Sequence, residues 1–498
     1  MTATITDNLK RDMLRSIFDR TQNIGVAVGD SDRHYIAIGR SEEWPTETTP
    51  PTPFSGDDDS MTFRAGIQSM KLVPDVSYVI PRFSWTTGNF YQAWDSRYGS
   101  NTEVVAGTVA TASTMPHPFY VLTDDNNVYV CIHQGKTTAG TPRASLYKPV
   151  NTGNDVFSAG ADGYFWKFLY NIGAAEARKF LTSSYMPVER VVDELAGGPA
   201  DGDLSVSRLQ QRGVQGAAIP GQLIGIAIDN AGSGFTSQPT LLISGRARVG
   251  GESTFTTAVA SAKVAGGIIT SVIMKDDSDD AAFAFGRDYA DAAIIVSGGG
   301  GTGAVLRALI ATDSGMGGNA TLDLHTSAMM FNAQLTGIEN NDFQTTNDFR
   351  QIGIVRNPIK DSAQFNSFVE TPTATNATLS AFKKLHVTTA SLTPANITGD
   401  QLITQPSGQS AIIDFYDGTG IMNVHQTRET GFLPFDSNQI CTISSGGGTC
   451  TPVTISGQLA LRPAEVDRYS GEVVYIDNRV AVSRDAEQTE DIKVVIDL

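Results

Sequence analysis

The clearest periodic pattern lies near the N-terminus, where apolar residues recur at helical spacing. The apolar positions are Leu9, Met13, Leu14, Ile17 and Phe18. Residues three and four positions apart share one face of a helix, so this spacing predicts an amphipathic helix. Asp7 stands just before it, and aspartate is a common residue at helix N-termini. The pattern therefore predicts a helix that Asp7 caps.

Most other patterned segments predict strands, because their apolar residues alternate or form short runs between turn residues. These segments are 78–80, 119–122, 128–132, 410–415, 420–425, 472–476 and 492–496. Asp477, Asn478 and Arg479 follow one of them and are predicted to form a turn. With 49 glycines and 21 prolines, the chain is predicted to be mainly β with many turns.

A loose internal repeat lies in the middle of the chain. Gly234-Phe235 leads into the apolar run 241–245, and Asp288-Tyr289 leads likewise into 294–298. Both units then continue through glycines into alternating apolar residues. This predicts a small glycine-rich β module.

Composition excludes several classes of protein. At 498 residues the chain is long enough for two to four domains. The net charge of −17 opposes binding to nucleic acid and to anionic membranes. No apolar run has the roughly 18 residues of a membrane helix, and charges interrupt the N-terminal segment where a signal peptide is apolar. We therefore expect synthesis in the cytoplasm. The three cysteines, Cys131, Cys441 and Cys450, are too few for a disulfide framework. A turn at 444–448 could bring Cys441 and Cys450 together as a disulfide, but two reduced thiols on neighbouring strands are the favoured interpretation.

One glycine pattern has two interpretations. Gly298, Gly300 and Gly303 follow an apolar run in a G-x-G-x-x-G arrangement, and Asp323 lies about twenty residues further on. In a Rossmann unit this would be a dinucleotide site with an acid for the ribose. No βαβ pattern precedes it, however, and the segment repeats an earlier β unit. A glycine-rich hairpin is therefore the favoured interpretation.

Other chemistry-bearing residues form no local constellation. The six histidines have no metal-ligand spacing, and no nucleophile elbow is present. The acidic runs 57–59 and 276–280 lack the spacing of a calcium loop and are predicted to be solvated loops. We predict no catalytic, cofactor-binding or metal-binding residues and expect that the chain is not an enzyme.

An aromatic cluster has three possible roles. Its members are Trp85, Phe90, Tyr91, Trp94 and Tyr98. Core packing and a subunit interface are about equally favoured, because aromatic residues dominate both kinds of contact. A sugar-stacking platform is a third alternative. Arg82 and Arg97 nearby slightly favour the interface.

Five short motifs, in order along the chain, carry a family resemblance. They are IAIGRSEEW (36–44), VIPRFSW (79–85), DGYFWKFL (162–169), FRQIGIVRNPI (349–359) and the tail 469–498 with its Asp477-Asn478-Arg479. Together they resemble the baseplate wedge proteins of T-even-type contractile-tailed phages, the gene-product-eight family. The order of the motifs supports the match more strongly than any one motif does.

The resemblance implies a layered β-sandwich core with helix-bearing loops, in a structural protein of the virion. Such proteins form homodimers, contact other wedge proteins, and take part in baseplate assembly and in its rearrangement on infection. The localisation implied is the tail baseplate, with no cofactor, nucleic acid, membrane or small-molecule substrate. The candidate interface or structural residues are Arg40, Trp44, Arg82, Trp85, Trp94, Trp166, Asn357, Asp477, Asn478 and Arg479.

Two stretches have no counterpart in the family and are interpreted as inserted β modules. The predicted core then comprises 1–195, 319–359 and 466–498, interrupted by a glycine-rich β-repeat domain at 196–318 and a β-sandwich or barrel-like domain at 360–465. Because such modules with exposed aromatic residues also suit glycan recognition, the alternative function is a receptor- or polysaccharide-binding tail protein.

Overall fold

The computed structural model of the protein describes residues 6–22, 31–97, 118–189, 205–248, 256–276, 282–345, 348–360, 377–454 and 460–498. The fold is mainly β, with 41% strand and 13% helix arranged as several antiparallel sheets. The predicted fold class is thereby confirmed.

Short helices connect the strands. They are α1 (Asp7–Thr21), α2 (Asp57–Gly66), α3 (Ala174–Phe180), α4 (Val206–Gly216), α5 (Ala320–Asp323) and α6 (Glu339–Asp342), with 3₁₀ turns at Pro394–Asn396 and Ser444–Gly446. The predicted N-terminal helix is confirmed as α1, whereas the side chain of Asp7 lies outside the described residues. The acidic run 57–59 forms the first turn of α2 and not a loop, because carboxylates stabilise the positive end of a helix. Of the second acidic run only Asp276 lies within the described residues.

Fourteen strands precede α5. They are β1 (His34–Gly39), β2 (Ile67–Leu72), β3 (Asp75–Pro81), β4 (Tyr120–Leu122), β5 (Asn127–His133), β6 (Phe157–Ser158), β7 (Phe165–Asn171), β8 (Tyr185–Val188), β9 (Leu223–Ser233), β10 (Thr240–Ala247), β11 (Ser261–Ala265), β12 (Ile268–Ile273), β13 (Tyr289–Ser297) and β14 (Thr302–Ile310).

Fourteen more described strands follow α5. They are β15 (Ala328–Thr336), β16 (Phe349–Arg356), β17 (Ile359–Lys360), β18 (Thr378–Ser380), β19 (Lys383–His386), β20 (Gln401–Thr404), β21 (Ser410–Tyr416), β22 (Ile421–His425), β23 (Cys441–Ile443), β24 (Gly448–Cys450), β25 (Leu461–Arg462), β26 (Val466–Asp467), β27 (Glu472–Val482) and β28 (Thr489–Asp497).

The chain forms two compact units. The first comprises 1–15, 77–330 and 495–498, and the second comprises 16–76 and 331–494. These units divide the chain differently from the five predicted segments, since the predicted core segment 1–195 contributes to both units. Burial of apolar surface depends on which strands pair, and this division follows those contacts.

A five-stranded antiparallel sheet of the second unit has the order β18-β2-β1-β16-β27. Ile36 of β1 lies opposite Ile354 of β16, which in turn lies opposite Tyr475 of β27. All six residues of β1 are buried, as expected for a central strand covered on both faces. Three motif segments far apart in the sequence are therefore neighbours in one sheet.

A seven-stranded sheet in the same unit has the order β24-β23-β20-β21-β22-β19-β25. Its core includes Leu385, Ile403, Ile413 and Val424. Cys441 and Cys450 lie directly opposite each other on β23 and β24, as buried free thiols.

The first unit contains two larger sheets that lie wholly within it, β4-β5-β7-β6 and β10-β13-β14-β9. The core of the first sheet is aromatic and includes Tyr91, Tyr129, Trp166 and Phe168. The ring of Tyr164 stacks on Trp166 at a centroid distance of 5.8 Å. Aromatic packing of this kind buries a large apolar area.

The two predicted repeat units pair with each other in the second of these sheets. β10 is antiparallel to β13, with Leu241 opposite Val296. The aromatic ring of each unit packs on a glycine of the other. A Cβ added to Gly245 would lie 2.3 Å from the ring of Tyr289, and one added to Gly301 would lie 2.4 Å from the ring of Phe235. The repeat is therefore a packing unit in which glycine makes room for an aromatic ring.

Candidate interaction site

The loop after β1 places Arg40 against Trp44. Gly39 lies so close to Gly66 that an added Cβ would be 2.5 Å from the Gly66 carbonyl oxygen, and Arg40 has a φ of 58°. Its backbone N–H donates to the same oxygen at 2.9 Å. This left-handed turn directs the guanidinium over the indole ring of Trp44, with 4.0 Å between the guanidinium carbon and the ring centroid.

Trp44 joins this loop to the C-terminal part of the sheet. Its indole Nε1 donates to the backbone oxygen of Arg479 at 2.8 Å, and its backbone N–H donates to Glu47 at 2.6 Å. Glu47 in turn accepts from Arg350 Nε at 2.9 Å. Residues of three sequence motifs therefore hold one another in place.

Asp477, Asn478 and Arg479 do not form the predicted turn but lie inside strand β27. Asn478 accepts from the side chain of Gln351 and donates to the backbone oxygen of Pro51, both at 2.8 Å. Arg479 Nε donates to Asp477 at 2.6 Å. Because β16 supplies a partner strand, its backbone hydrogen bonds override the local turn preference of these residues.

Asn357 has a structural role beside the same sheet. It adopts a φ of 51°, a region that asparagine tolerates better than most residues. Its side chain accepts from the backbone N–H of Arg33 at 2.8 Å and donates to Asp32 at 2.6 Å. These bonds fix the segments that flank β1 and β16.

The four remaining candidates lie in the first unit. Trp94 and Trp166 are buried, and Trp94 Nε1 donates to the backbone oxygen of Asp323 at 2.8 Å. Trp85 is half-buried and donates to Ser145, while Arg82 donates to the backbone oxygen of Thr182. Trp94 and Trp166 are therefore core residues of this unit.

The aromatic cluster predicted from the sequence likewise contains both buried and half-buried residues. Tyr91 is buried in the core, and Phe90 is half-buried. Tyr98 lies outside the described residues. Core packing thus accounts for Tyr91 and Trp94.

The glycine fingerprint is a hairpin, as favoured from the sequence. Residues 298–301 connect β13 to β14, and Gly298, Gly299 and Gly300 all have positive φ. Asp323 is fully buried in another turn, where it accepts from Thr312 Oγ1 at 2.7 Å and from the Gly317 N–H at 2.8 Å. Burial raises the pKa of Asp323 to about 7 despite these bonds. Both of these hydrogen bonds join Asp323 to residues that lie close to it in the sequence.

A pocket of about 570 Å³ opens beside Arg40 in the second unit. We call it the Arg40 pocket, and its lining includes Arg40, Met61, Leu402, Arg428, Glu429 and Phe432. Its volume lies within the range of about 300–1,000 Å³ that is typical of ligand pockets. Apart from Arg40, sequence reasoning missed these residues, because they come from separate loops and carry no shared motif.

A buried ionic cluster lies beside the pocket. His425 is 3% exposed and places Nδ1 2.9 Å from both carboxylate oxygens of Asp414, which is fully buried. Its Nε2 lies 3.0 Å from Glu42, a lining residue of the pocket. Both ring nitrogens of His425 are thus held by carboxylates.

The electrostatics of this cluster favour an imidazolium between two carboxylates. Burial alone would lower the pKa of His425, but the charge of Asp414 and the bonds to both acids outweigh it and raise the pKa to about 10. Burial would raise the pKa of Glu42, yet the bond to His425 and its charge lower it to about 2. For Asp414 burial dominates and raises the pKa. With both ring nitrogens engaged, His425 has none left for a ligand, and removal of one member of the cluster would leave an uncompensated buried charge.

One sequence signal points to this cluster. The segments 410–415 and 420–425 are predicted strands, and they pair as β21 and β22 with Ile412 opposite His425. Asp414 and His425 are thereby brought to neighbouring strands. Nothing local indicates Glu42, which lies 383 residues away in the chain.

Within the described residues, no group of three or more His, Cys, Asp or Glu side chains forms a metal site. None of the helices in these ranges has the length and apolarity needed to cross a bilayer. No known family model matches the chain, and no curated protein matches its sequence.

Proposed function

We propose that this chain is a structural protein of the virion, a baseplate wedge subunit of a contractile phage tail. Its partners are a second copy of itself and other wedge proteins. In this role it connects wedge subunits with peripheral parts of the baseplate and contributes to assembly and rearrangement on infection. The proposal begins from the five ordered motifs and their resemblance to the gene-product-eight family.

One structural observation carries the proposal. The motif segments 36–44 and 349–359 and the C-terminal tail, which are each separated by more than a hundred residues, contribute the adjacent strands β1, β16 and β27. Trp44 and Arg479, which belong to two of these motifs, share a hydrogen bond of 2.8 Å. Residues of three of the five motifs therefore support one another in one sheet, as expected if the resemblance reflects a shared core and not chance similarity.

A connecting role requires pre-organised surfaces. The motif loop after β1 meets this requirement, since Arg40, Trp44 and Glu47 each have a defined contact. The buried cluster at His425 joins the same loop to β22 through Glu42. These contacts favour a surface that is already in its binding conformation before a partner arrives.

The test is to locate the chain in assembled particles. We expect mass spectrometry of purified virions to detect it and cross-linking to join it to other baseplate proteins. Light scattering of the purified chain should give the mass of a dimer. Particles that contain tails with complete baseplates but lack this chain would contradict the proposal.

A further inference from the structure

We propose that the Arg40 pocket binds an extended segment of a partner polypeptide, in which a large apolar side chain lies next to a carboxylate. This inference rests on the proposed function, because it names the kind of partner segment that the subunit accepts. The exposed apolar residues of the pocket and the guanidinium of Arg40, which forms no ion pair with the described residues, support it.

The apolar part of the pocket is unusually exposed. Met61, Leu402 and Phe432 are 50%, 42% and 55% exposed, and all three line the same concavity together with Ile412. Single exposed apolar residues are normal on protein surfaces, but a concave group of them marks a binding site. A large apolar side chain entering here would remove apolar surface of Met61, Leu402 and Phe432 from water.

The cationic part of the pocket is Arg40. Its guanidinium is held over Trp44, and its Nε is buried without a hydrogen-bond partner. Within the described ranges it forms no ion pair, and its Nη2 makes only a long bond of 3.4 Å to the Glu43 backbone oxygen. A guanidinium held in this way presents donors in the geometry that a carboxylate accepts.

Arg428 is a second cation at the pocket. It pairs with Asp58, but the two side chains are 62% and 73% exposed. Exposed ion pairs contribute little and exchange partners readily. Arg428 can therefore turn to an incoming carboxylate at small cost.

The two acids of the lining, Glu42 and Glu429, each have a hydrogen-bond partner that reduces their repulsion of an incoming carboxylate. Glu42 faces the positively charged His425, and Glu429 accepts from the Thr427 hydroxyl at 2.7 Å. Arg428 already has Asp58 as its ion-pair partner, so Arg40 is the lining cation that forms no ion pair within the described ranges. The carboxylate of the partner segment would therefore meet Arg40.

The first experiment uses the full chain with labelled methionine, leucine and isoleucine methyl groups. The probe is the peptide acetyl-Gly-Phe-Asp-Gly-amide, compared with analogues that carry Lys in place of Asp or Ala in place of Phe. We expect the Phe-Asp peptide to shift the methyl signals of Met61, Leu402 and Ile412 saturably. Each analogue should bind about tenfold more weakly, as loss of one contact of about 1.4 kcal/mol implies.

Three outcomes would overturn the inference. The first is no methyl shift with the Phe-Asp peptide at millimolar concentration. The second is equal affinity for the Phe-Asp and Phe-Lys peptides, which would remove the charge argument. The third is a shift of the same methyl groups by methyl glucoside but by none of the peptides, which would make the occupant a sugar.

Two pairs of variants locate the binding. Phe432 and Leu433 are adjacent and both 55% exposed, but only Phe432 lines the pocket. We expect Phe432→Ser to weaken peptide binding about tenfold and Leu433→Ser to leave it unchanged. Arg40→Gln should weaken it similarly, whereas Arg248→Gln, which removes a partly exposed arginine of the first unit outside the lining, should not. Equal losses within either pair would show that the pocket is not the site.

Failure of this inference differs from failure of the proposed function. Virions that contain the chain in the baseplate, together with a chain that ignores all the peptides, would disprove the pocket inference alone. A chain that binds the Phe-Asp peptide but is absent from complete baseplates would disprove the proposed function and leave the pocket as a peptide site.

Discussion

The carboxylate of Glu42 accepts a hydrogen bond of 3.0 Å from Nε2 of His425, across 383 residues of sequence. The same imidazole contacts the fully buried Asp414 through Nδ1. Glu42 lies in the loop after β1, and His425 ends β22 of the seven-stranded sheet. The bond therefore joins the loop that carries Arg40 to the sheet beside the Arg40 pocket.

We expect His425→Ala to destabilise the second unit by about 3–5 kcal/mol, because it leaves Asp414 buried without its cation. The measurement is hydrogen exchange of amides in β21 and β22. His386→Ala is the control, since His386 is buried in the same sheet and burial lowers its pKa, which favours a neutral ring. An equal effect of the two substitutions would show that only the loss of a ring matters.

The stability of this unit should also depend on pH through His425. Its raised pKa means that the folded state holds the proton more tightly than the unfolded state. The contribution is therefore complete below the ordinary value of 6.5 and is lost as the pH rises through about 10. The difference in melting temperature between the native chain and His425→Ala should shrink over this interval. A constant difference from pH 6 to 10 would contradict a charged His425.

The stability of the first unit should also fall with rising pH, because burial favours the neutral form of the Asp323 carboxyl. Its pKa is raised by burial to about 7 from an ordinary 3.8, so the folded state keeps a proton that the unfolded state releases. Stability of the first unit should fall as the pH rises from about 4 to 7, by about 1.4 kcal/mol per unit of pKa difference.

Asp323→Asn tests this directly. The amide oxygen can accept from the Gly317 N–H, and the amide nitrogen can donate to the Thr312 hydroxyl, so both bonds of the turn survive. We expect the variant to lose the pH dependence and to be more stable than the native chain at pH 8. Unchanged pH dependence in thermal unfolding would assign it to another group.

Close packing of rings on glycines makes the repeat module sensitive to a single methyl group. Gly245→Ala places a Cβ 2.3 Å from the Tyr289 ring, and Gly301→Ala places one 2.4 Å from the Phe235 ring. We expect each to cost about 1–3 kcal/mol, the usual cost of overpacking, in urea denaturation. Gly216→Ala, at the end of α4 with no neighbouring atom within 4 Å, is the control and should be neutral or slightly stabilising.

Cys441 and Cys450 should behave as a reduced pair. They face each other on β23 and β24 as free buried thiols. We expect alkylation under denaturing, non-reducing conditions to modify both residues of the freshly purified protein. Detection of a peptide bridged between them would contradict this expectation.

Much of the secondary structure was accessible from local pattern. The alternation at 472–476 and 492–496 lies within strands β27 and β28, and the spacing of Leu9 to Phe18 corresponds to α1. The turn predicted at Asp477 was wrong, because pairing with β16 extends strand β27 through a sequence that is typical of turns. It also failed at Asp57, where the polar run begins α2.

The sequence by itself determined the mainly β class, the hairpin after β13 and the order of the family-like motifs, because strand periodicity, turn residues and short motifs are encoded by neighbouring positions. Only the tertiary structure decided that Glu42 meets His425, that Trp44 bonds to Arg479, and that Met61, Leu402 and Phe432 line one pocket. These contacts join residues hundreds of positions apart, and they depend on which strands pair and which side chains are buried together. Burial also sets the pKa values of His425 and Asp323, and the linear sequence contains no direct signal of burial.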